Sequence, residues 1–306
     1  MQAPGPGTSF LQRLDRIDRR WIFLAMCIAI AAPVLWVGVT GRTLPETPTP
    51  PVESAFRAVD TLPDGARVLI SIDFDPASAS ELQPMATAIV RHCVLRGYRV
   101  CLMTLWPGGG PIADATMKDV LADRPDWKYG ERWVDLGYRA GFEGVMKQMN
   151  ASVAEAYPVD VRQTKLADIP MMKGIGGIAD FDMLVSVSAG YAGAKEWVQY
   201  SVSPTLTSAR PLRFVAGSTG VQTPQLIPYY PTQMAGILGA IKGAAEYEYL
   251  VNEAARKAEP GKEIPAKFLE AQRRMAPQLF GHVLMVALIV LGNVVFVGLR
   301  MRGARA

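Results

Sequence analysis

Two apolar runs frame this chain and limit what it can fold into more than any other feature. Trp21 to Val39 reads WIFLAMCIAIAAPVLWVGV, 19 residues without a charge. Leu279 to Leu299 reads LFGHVLMVALIVLGNVVFVGL, 21 residues with no acidic side chain and no Lys or Arg. At ~1.5 Å per residue these make helices of about 28–32 Å, matching a hydrocarbon core of roughly 30 Å. Pro33 is compatible with a membrane helix, and Trp21 and Trp36 lie near the ends, where indoles favour the interface. No small-x-small cleavage site follows the first run, so it reads as an uncleaved anchor. Asn293 would be costly against lipid, so it is expected to face another helix, either as an amide satisfied within its own chain or as a contact with an oligomer or a partner.

Arginines give the expected orientation. Arg13, Arg16, Arg19 and Arg20 precede the first run, and Arg42 alone follows it closely. Arg300, Arg302 and Arg305 follow the second, partly opposed by Lys267, Arg273 and Arg274 before it. Excess positive charge marks the cytoplasmic side. The expectation is therefore a cytoplasmic membrane protein with both termini inside and the main domain extracytoplasmic. The net charge of +4 comes mostly from these flanks, so the near-neutral middle gives no sign of nucleic-acid binding.

The pattern divides the chain into an N-terminus (1–20), a span (21–39), a proline-rich linker (40–57), a domain (58–257), a connector (258–278), a second span (279–299) and a tail (300–306). The linker carries Pro45, Pro48, Pro50 and Pro51 and is expected to be an extended polyproline spacer. In the domain, apolar runs at 67–73, 98–106, 132–137, 182–190 and 211–220 read as strands buried on both faces. Helical patterns fall at 79–96, near 142–156 and at 232–257. Strands alternating with helices predict an α/β fold: a mainly parallel, Rossmann-like sheet with helices on both faces, flanked by two transmembrane helices. Cys93 and Cys101 fall on a helix and the following strand and are expected to be buried free thiols.

Ligands of such sheets bind beyond the carboxyl ends of the strands. Those ends carry Asp73 and Asp75, then Thr104, Asp135, Ser186 and Ser188, then Ser218 and Thr219. The same residue types also cap helices and make turns. Asp73-Phe74-Asp75 after a strand, followed by a helix and a strand ending in Thr104, resembles the first half of the haloacid dehalogenase-type phosphatases. That resemblance covers about 35 residues and implies a nucleophile at Asp73, an acid/base at Asp75 and a phosphoryl-holding Thr104. Pro76-Ala77 stands where those enzymes carry Gly-Thr, and no acidic pair follows a later strand. Ser186-Val187-Ser188-Ala189-Gly190 resembles a nucleophile elbow without its first glycine. A triad there would need a later histidine, and His282 in the second span is the one that follows. Residues 217–220, GSTG, could cradle an anion on backbone amides.

Two histidines and three cysteines make a zinc site improbable, and the acidic pairs Asp180/Asp182 and Glu246/Glu248 lack the ligand density for calcium. No metal or cofactor is nominated. Gly236, Gly239 and Gly243 interrupt the last helical pattern, where glycine is unfavourable, and mark either packing on the sheet or a contact with another subunit. The segment 231–248, with two spans around an α/β domain, resembles uncharacterised two-span membrane proteins of bacteria and archaea. That likeness implies an architecture and no activity. The expectation is a membrane-anchored binding or assembly subunit whose partners are the bilayer and a membrane protein or a second copy. The alternative is an enzyme acting on a phosphorylated or anionic small molecule.

Overall fold

The computed structural model describes residue 14 and residues 17–303. Arg13, Arg16 and Arg305 lie outside the described residues. Two units appear, one of residues 1–44 with 273–306, the other Pro45–Gln272.

The larger unit holds six strands: β1 (Arg67–Asp73), β2 (Arg99–Thr104), β3 (Trp133–Tyr138), β4 (Met183–Ser188), β5 (Arg213–Ser218) and β6 (Gly236–Gly239). All pair in parallel, in the order β3-β2-β1-β4-β5-β6. This is the doubly wound order of dinucleotide-binding folds, in which the chain reverses direction across the sheet between β1 and β4. Ser71 pairs in register with Ser186, and Asp73 with Ser188. The polar ends of two central strands thus meet at the switch point.

Ten helices accompany the sheet among the described residues: α1 (Arg19–Thr40), α2 (Pro50–Asp60), α3 (Ala79–Leu95), α4 (Gly109–Leu121), α5 (Glu143–Ala151), α6 (Val153–Ala156), α7 (Ala194–Trp197), α8 (Thr223–Leu226), α9 (Ala240–Ala258) and α10 (Glu270–Gly303). One sheet face packs Leu69, Cys101, Leu105, Leu184 and Phe214 against Met146, Met149, Val153, Phe181 and Trp197. The other is covered by α3, α4 and α9. Cys93 and Cys101 are both free and buried.

Two sequence expectations are corrected here. The proline-rich linker expected over 40–57 is not an extended spacer throughout, since a helix starts within it at Pro50. Pro50 and Pro51 open α2, where the missing N–H groups have no intrahelical acceptor to lose. Thr49 is tied to α9, its amide and hydroxyl reaching Glu246 Oε2 at 2.9 and 2.7 Å. The helix expected over 232–257 begins at Ala240 instead, and Gly236–Gly239 is strand. Glycine spacing imitated a helical face, but the glycines serve separate close approaches. A Cβ on Gly236 would lie 2.3 Å from the Ala55 amide nitrogen of α2, one on Gly239 2.6 Å from Thr223 Cγ2, and one on Gly243 2.9 Å from the Leu238 carbonyl carbon. The helix α4 begins inside the Trp106-Pro107-Gly108-Gly109-Gly110 run, whose glycines read as loop, so it carried no helical pattern in the sequence.

The smaller unit consists of two helices long and apolar enough to cross a membrane. Asp18 caps α1 by accepting the Arg20 amide at 2.9 Å, Pro33 is carried without a break, and Gly41 ends the helix at φ 65°. The second helix begins well before Leu279, at Glu270, because the buried Glu248 carboxylate accepts the Ala271 and Gln272 amides at 3.2 and 3.0 Å. Ile30 approaches Gly281, and Pro33, Val37 and Val295 are buried. Asn293 is exposed, and its amide donates to the Ile289 carbonyl at 2.8 Å within its own helix.

Candidate functional site

The residues expected to line the strand ends do gather there, but most are already engaged. Asp73 is fully buried. Its Oδ1 accepts the Leu105 amide at 2.7 Å, and its Oδ2 accepts the Ser71 hydroxyl. Burial pushes its carboxyl up to about 7, against the pull of those two donors; the Trp197 indole N–H, outside hydrogen-bonding geometry, adds a smaller lowering. A carboxylate in this state is packed and partly neutral, not presented to a phosphoryl group.

Asp75 lies at the surface side of the same turn, and its Oδ1 accepts the Ala77 and Ser78 amides at 3.1 and 3.2 Å. This is a local turn of the kind short polar side chains make. Thr104 is buried beneath the start of α4, where its hydroxyl accepts the Trp106 amide and donates to the Trp106 carbonyl. A Cβ on Gly109 would sit 2.1 Å from that hydroxyl, so no substrate group fits there. Ser188 accepts the Ala194 amide at 3.1 Å beneath Gly193. Ser218 and Thr223 share a hydroxyl contact at 3.0 Å, and the half-buried Thr219 gives its carbonyl to Gln222 and Thr223. Ser186 is buried with no hydrogen-bond partner for its hydroxyl. Asp135 lies apart on the edge strand β3, accepts the Gly137 amide at 2.8 Å, and is pushed up to about 6 by burial. The structure thus brings Asp73 and Ser188 together and leaves Asp135 separate.

The GSTG turn is occupied from within. The Gly220 amide donates to Glu81 Oε1 at 2.8 Å, which places a carboxylate where an anion would have to bind. Among the described residues, no group of three or more His, Cys, Asp or Glu is placed to hold a metal ion.

What the carboxyl edge does offer is apolar. Val221 is 85% and Tyr191 57% exposed, with Phe142 and Ile227 also open to solvent. Phe142, Tyr191 and Val221 each follow the end of a strand, and Ile227 lines a hollow with Gly220 and Gly239 at the ends of β5 and β6. The Phe142 and Tyr191 rings are 5.7 Å apart, and the Tyr191 hydroxyl is held by Glu143. Trp106 is fixed by donation of its Nε1–H to the Ala192 carbonyl at 3.0 Å. Beside Ile227 a hollow of about 510 Å³ opens between Gly220, Thr223, Pro224, Gly239 and Ala240. Ala240 holds φ 56°, a left-handed conformation that costs a side chain with a Cβ. These residues were not visible as a group in the sequence, because they come from four separate connections and share no spacing.

A larger cavity, about 830 Å³, opens at the amino-terminal edge between α3, α9 and residues 259–268. Its charges largely neutralise one another, Asp60 with Arg96 and Glu259 with Lys262. His92 lies between Asp60 and the Tyr247 hydroxyl, at 3.1 and 2.8 Å, and burial pushes it down to about 4. Neutral at physiological pH, it donates from Nε2 to Asp60 and accepts the Tyr247 O–H at Nδ1; the cluster is a hydrogen-bonded clamp joining α2, α3 and α9. No protein-family model, curated protein or solved structure matches this chain.

Proposed function

We propose that the chain is a membrane-anchored binding or assembly subunit of an envelope complex, held by two spans and presenting its α/β domain outside the cytoplasm. One observation carries the reading. At the strand-end edge, where an enzyme of this architecture would present reactive groups, the polar side chains are largely bound to the protein itself, while aromatic and aliphatic residues stand in solvent. Exposed apolar groups clustered along one edge favour a protein partner over a small anion. Ala240 supports this choice, since strained backbone concentrates at functional surfaces.

The test uses the full chain extracted in mild detergent. Tyr191→Asp combined with Ile227→Asp should release co-purifying proteins while leaving the thermal transition within a degree or two of wild type. An unchanged complex composition would end the reading. Protease added to intact cells should degrade the domain; full protection would overturn the outward orientation.

A further inference from the structure

We infer that the second spans of two copies of this chain pair through Asn293. The residue sits some 9 Å inside the apolar stretch that ends at Leu299, on a helix rising ~1.5 Å per residue. Water is absent at that depth, and each unmet amide group is unfavourable there. The side chain meets one of its needs locally, one N–H to the Ile289 carbonyl at 2.8 Å. Its second N–H and its carbonyl oxygen retain hydrogen-bonding capacity.

The first span does not reach it. The contact between the spans uses the side of α10 that carries Gly281, whereas Asn293 is exposed. At about 100° per residue, Asn293 shares its exposed stripe with Val286, Ile289, Val290 and Val297. An amide centred in an apolar stripe on the free side of a span is a recognition element rather than a lipid-facing residue.

The occupant follows from its chemistry. Asparagine carries a donor and an acceptor on one planar group, so two of them related by a twofold axis satisfy each other reciprocally. A self-complementary patch of this kind is the signature of an isologous contact between identical chains. A single buried asparagine can also fix register between paired helices, as it does in coiled coils. The inference rests on the membrane-anchored assembly reading but uses a different surface from the carboxyl edge.

Cysteines placed singly at Ile289 or Val297 in the full-length Cys27→Ser protein should cross-link into a dimer of the chain in native membranes. Cysteines at Leu284 or Val295, on the side away from the stripe, should not. Asn293→Leu should reduce the cross-linked fraction about threefold to thirtyfold at fixed lipid-to-protein ratio, in keeping with interhelical amide contacts in bilayers. Leucine is fully compatible with insertion, and Asn293→Gln should retain most of the pairing. Monomers throughout, cross-links to a different protein, or an Asn293→Leu variant that dimerises as before would each overturn the pairing. A monomeric chain that still holds its partner through Tyr191 and Ile227 would leave the assembly reading standing.

Discussion

Asp73 at the end of β1 accepts the amide of Leu105, just past the end of β2, at 2.7 Å. That bond ties the end of β1 to the residue past β2, beside the switch point, and leaves the carboxyl sealed from solvent. In the unfolded chain the group returns to an ordinary value near 3.8, whereas burial holds it at about 7 in the native protein. Between those values the native state binds the extra proton. Its contribution is fully present below pH 3.8, is lost as pH rises through about 7, and is then level. Asp73→Asn keeps an acceptor for Leu105 and supplies a donor to Ser71. Its stability relative to wild type should therefore climb from pH 4 to 7, by as much as a few kcal/mol at about 1.4 kcal/mol per pH unit. Asp135 and His92 act in both proteins and cancel in the difference. Denaturant titrations of the two full-length proteins at several pH values check this, and a flat difference would contradict it. Asp73→Ala strands both donors and should destabilise at every pH, by ~1–3 kcal/mol for each.

Gly236→Ala tests the close approach of α2 to β6. The added Cβ would meet the backbone nitrogen and Cα of Ala55 at 2.3 and 2.4 Å, and backbone cannot swing aside as a flexible side chain can. The expected loss is about 1–3 kcal/mol or more, the range for overfilled sites. Gly110→Ala, with nothing within 4 Å, is the matched control and should be neutral or stabilising by up to ~1 kcal/mol. Equal thermal shifts in the two variants would contradict the contact.

The contrast between those glycines shows what was legible in the sequence and what was not. The five longer strands announced themselves as apolar runs, and the two spans by length alone, because burial on both faces or in lipid leaves no other composition available. The strand Gly236–Gly239 did not, since four residues carry no period and the three glycines fall near helical spacing. The helix Pro50–Asp60 was hidden because prolines that favour an extended chain also suit a first helical turn. The polar rim at the strand ends was readable as a set of positions. Whether each hydroxyl faced a ligand or its own loop depended on loop geometry: Gly109 over Thr104, Gly193 over Ser188, and Glu81 reaching Gly220 from another helix.

Ala240 gives a prediction of opposite sign. Its φ of 56° is a conformation that glycine adopts without penalty, and it sits at the junction of β6 with α9, not in a helix interior. Ala240→Gly should raise stability by about 1 kcal/mol, the scale of left-handed strain at a single residue. Denaturant midpoints measure it. A loss of stability would show that the Ala240 methyl contributes more through its contacts than its backbone costs.

Glu248 tests how the last helix is started. Its buried carboxyl accepts the Ala271 and Gln272 amides and the Gln272 side-chain amide at 3.0–3.2 Å. The first amides of any helix lack intrahelical acceptors, and in a buried setting they need another partner. Glu248→Ala removes it and should cost ~2–4 kcal/mol, on the basis of about 1–3 kcal/mol for each orphaned donor. Glu248→Gln keeps one acceptor oxygen and should cost less. Wild type should gain stability over both variants as the pH falls, because burial holds the Glu248 carboxyl above its ordinary range and the native state then binds a proton that the unfolded chain has not yet taken up. Amide exchange at Ala271 and Gln272 separates this cap from a general loss of packing. Both amides should lose protection in Glu248→Ala before the amides of β1 and β4 do, and simultaneous loss at all of these sites would count against a local cap.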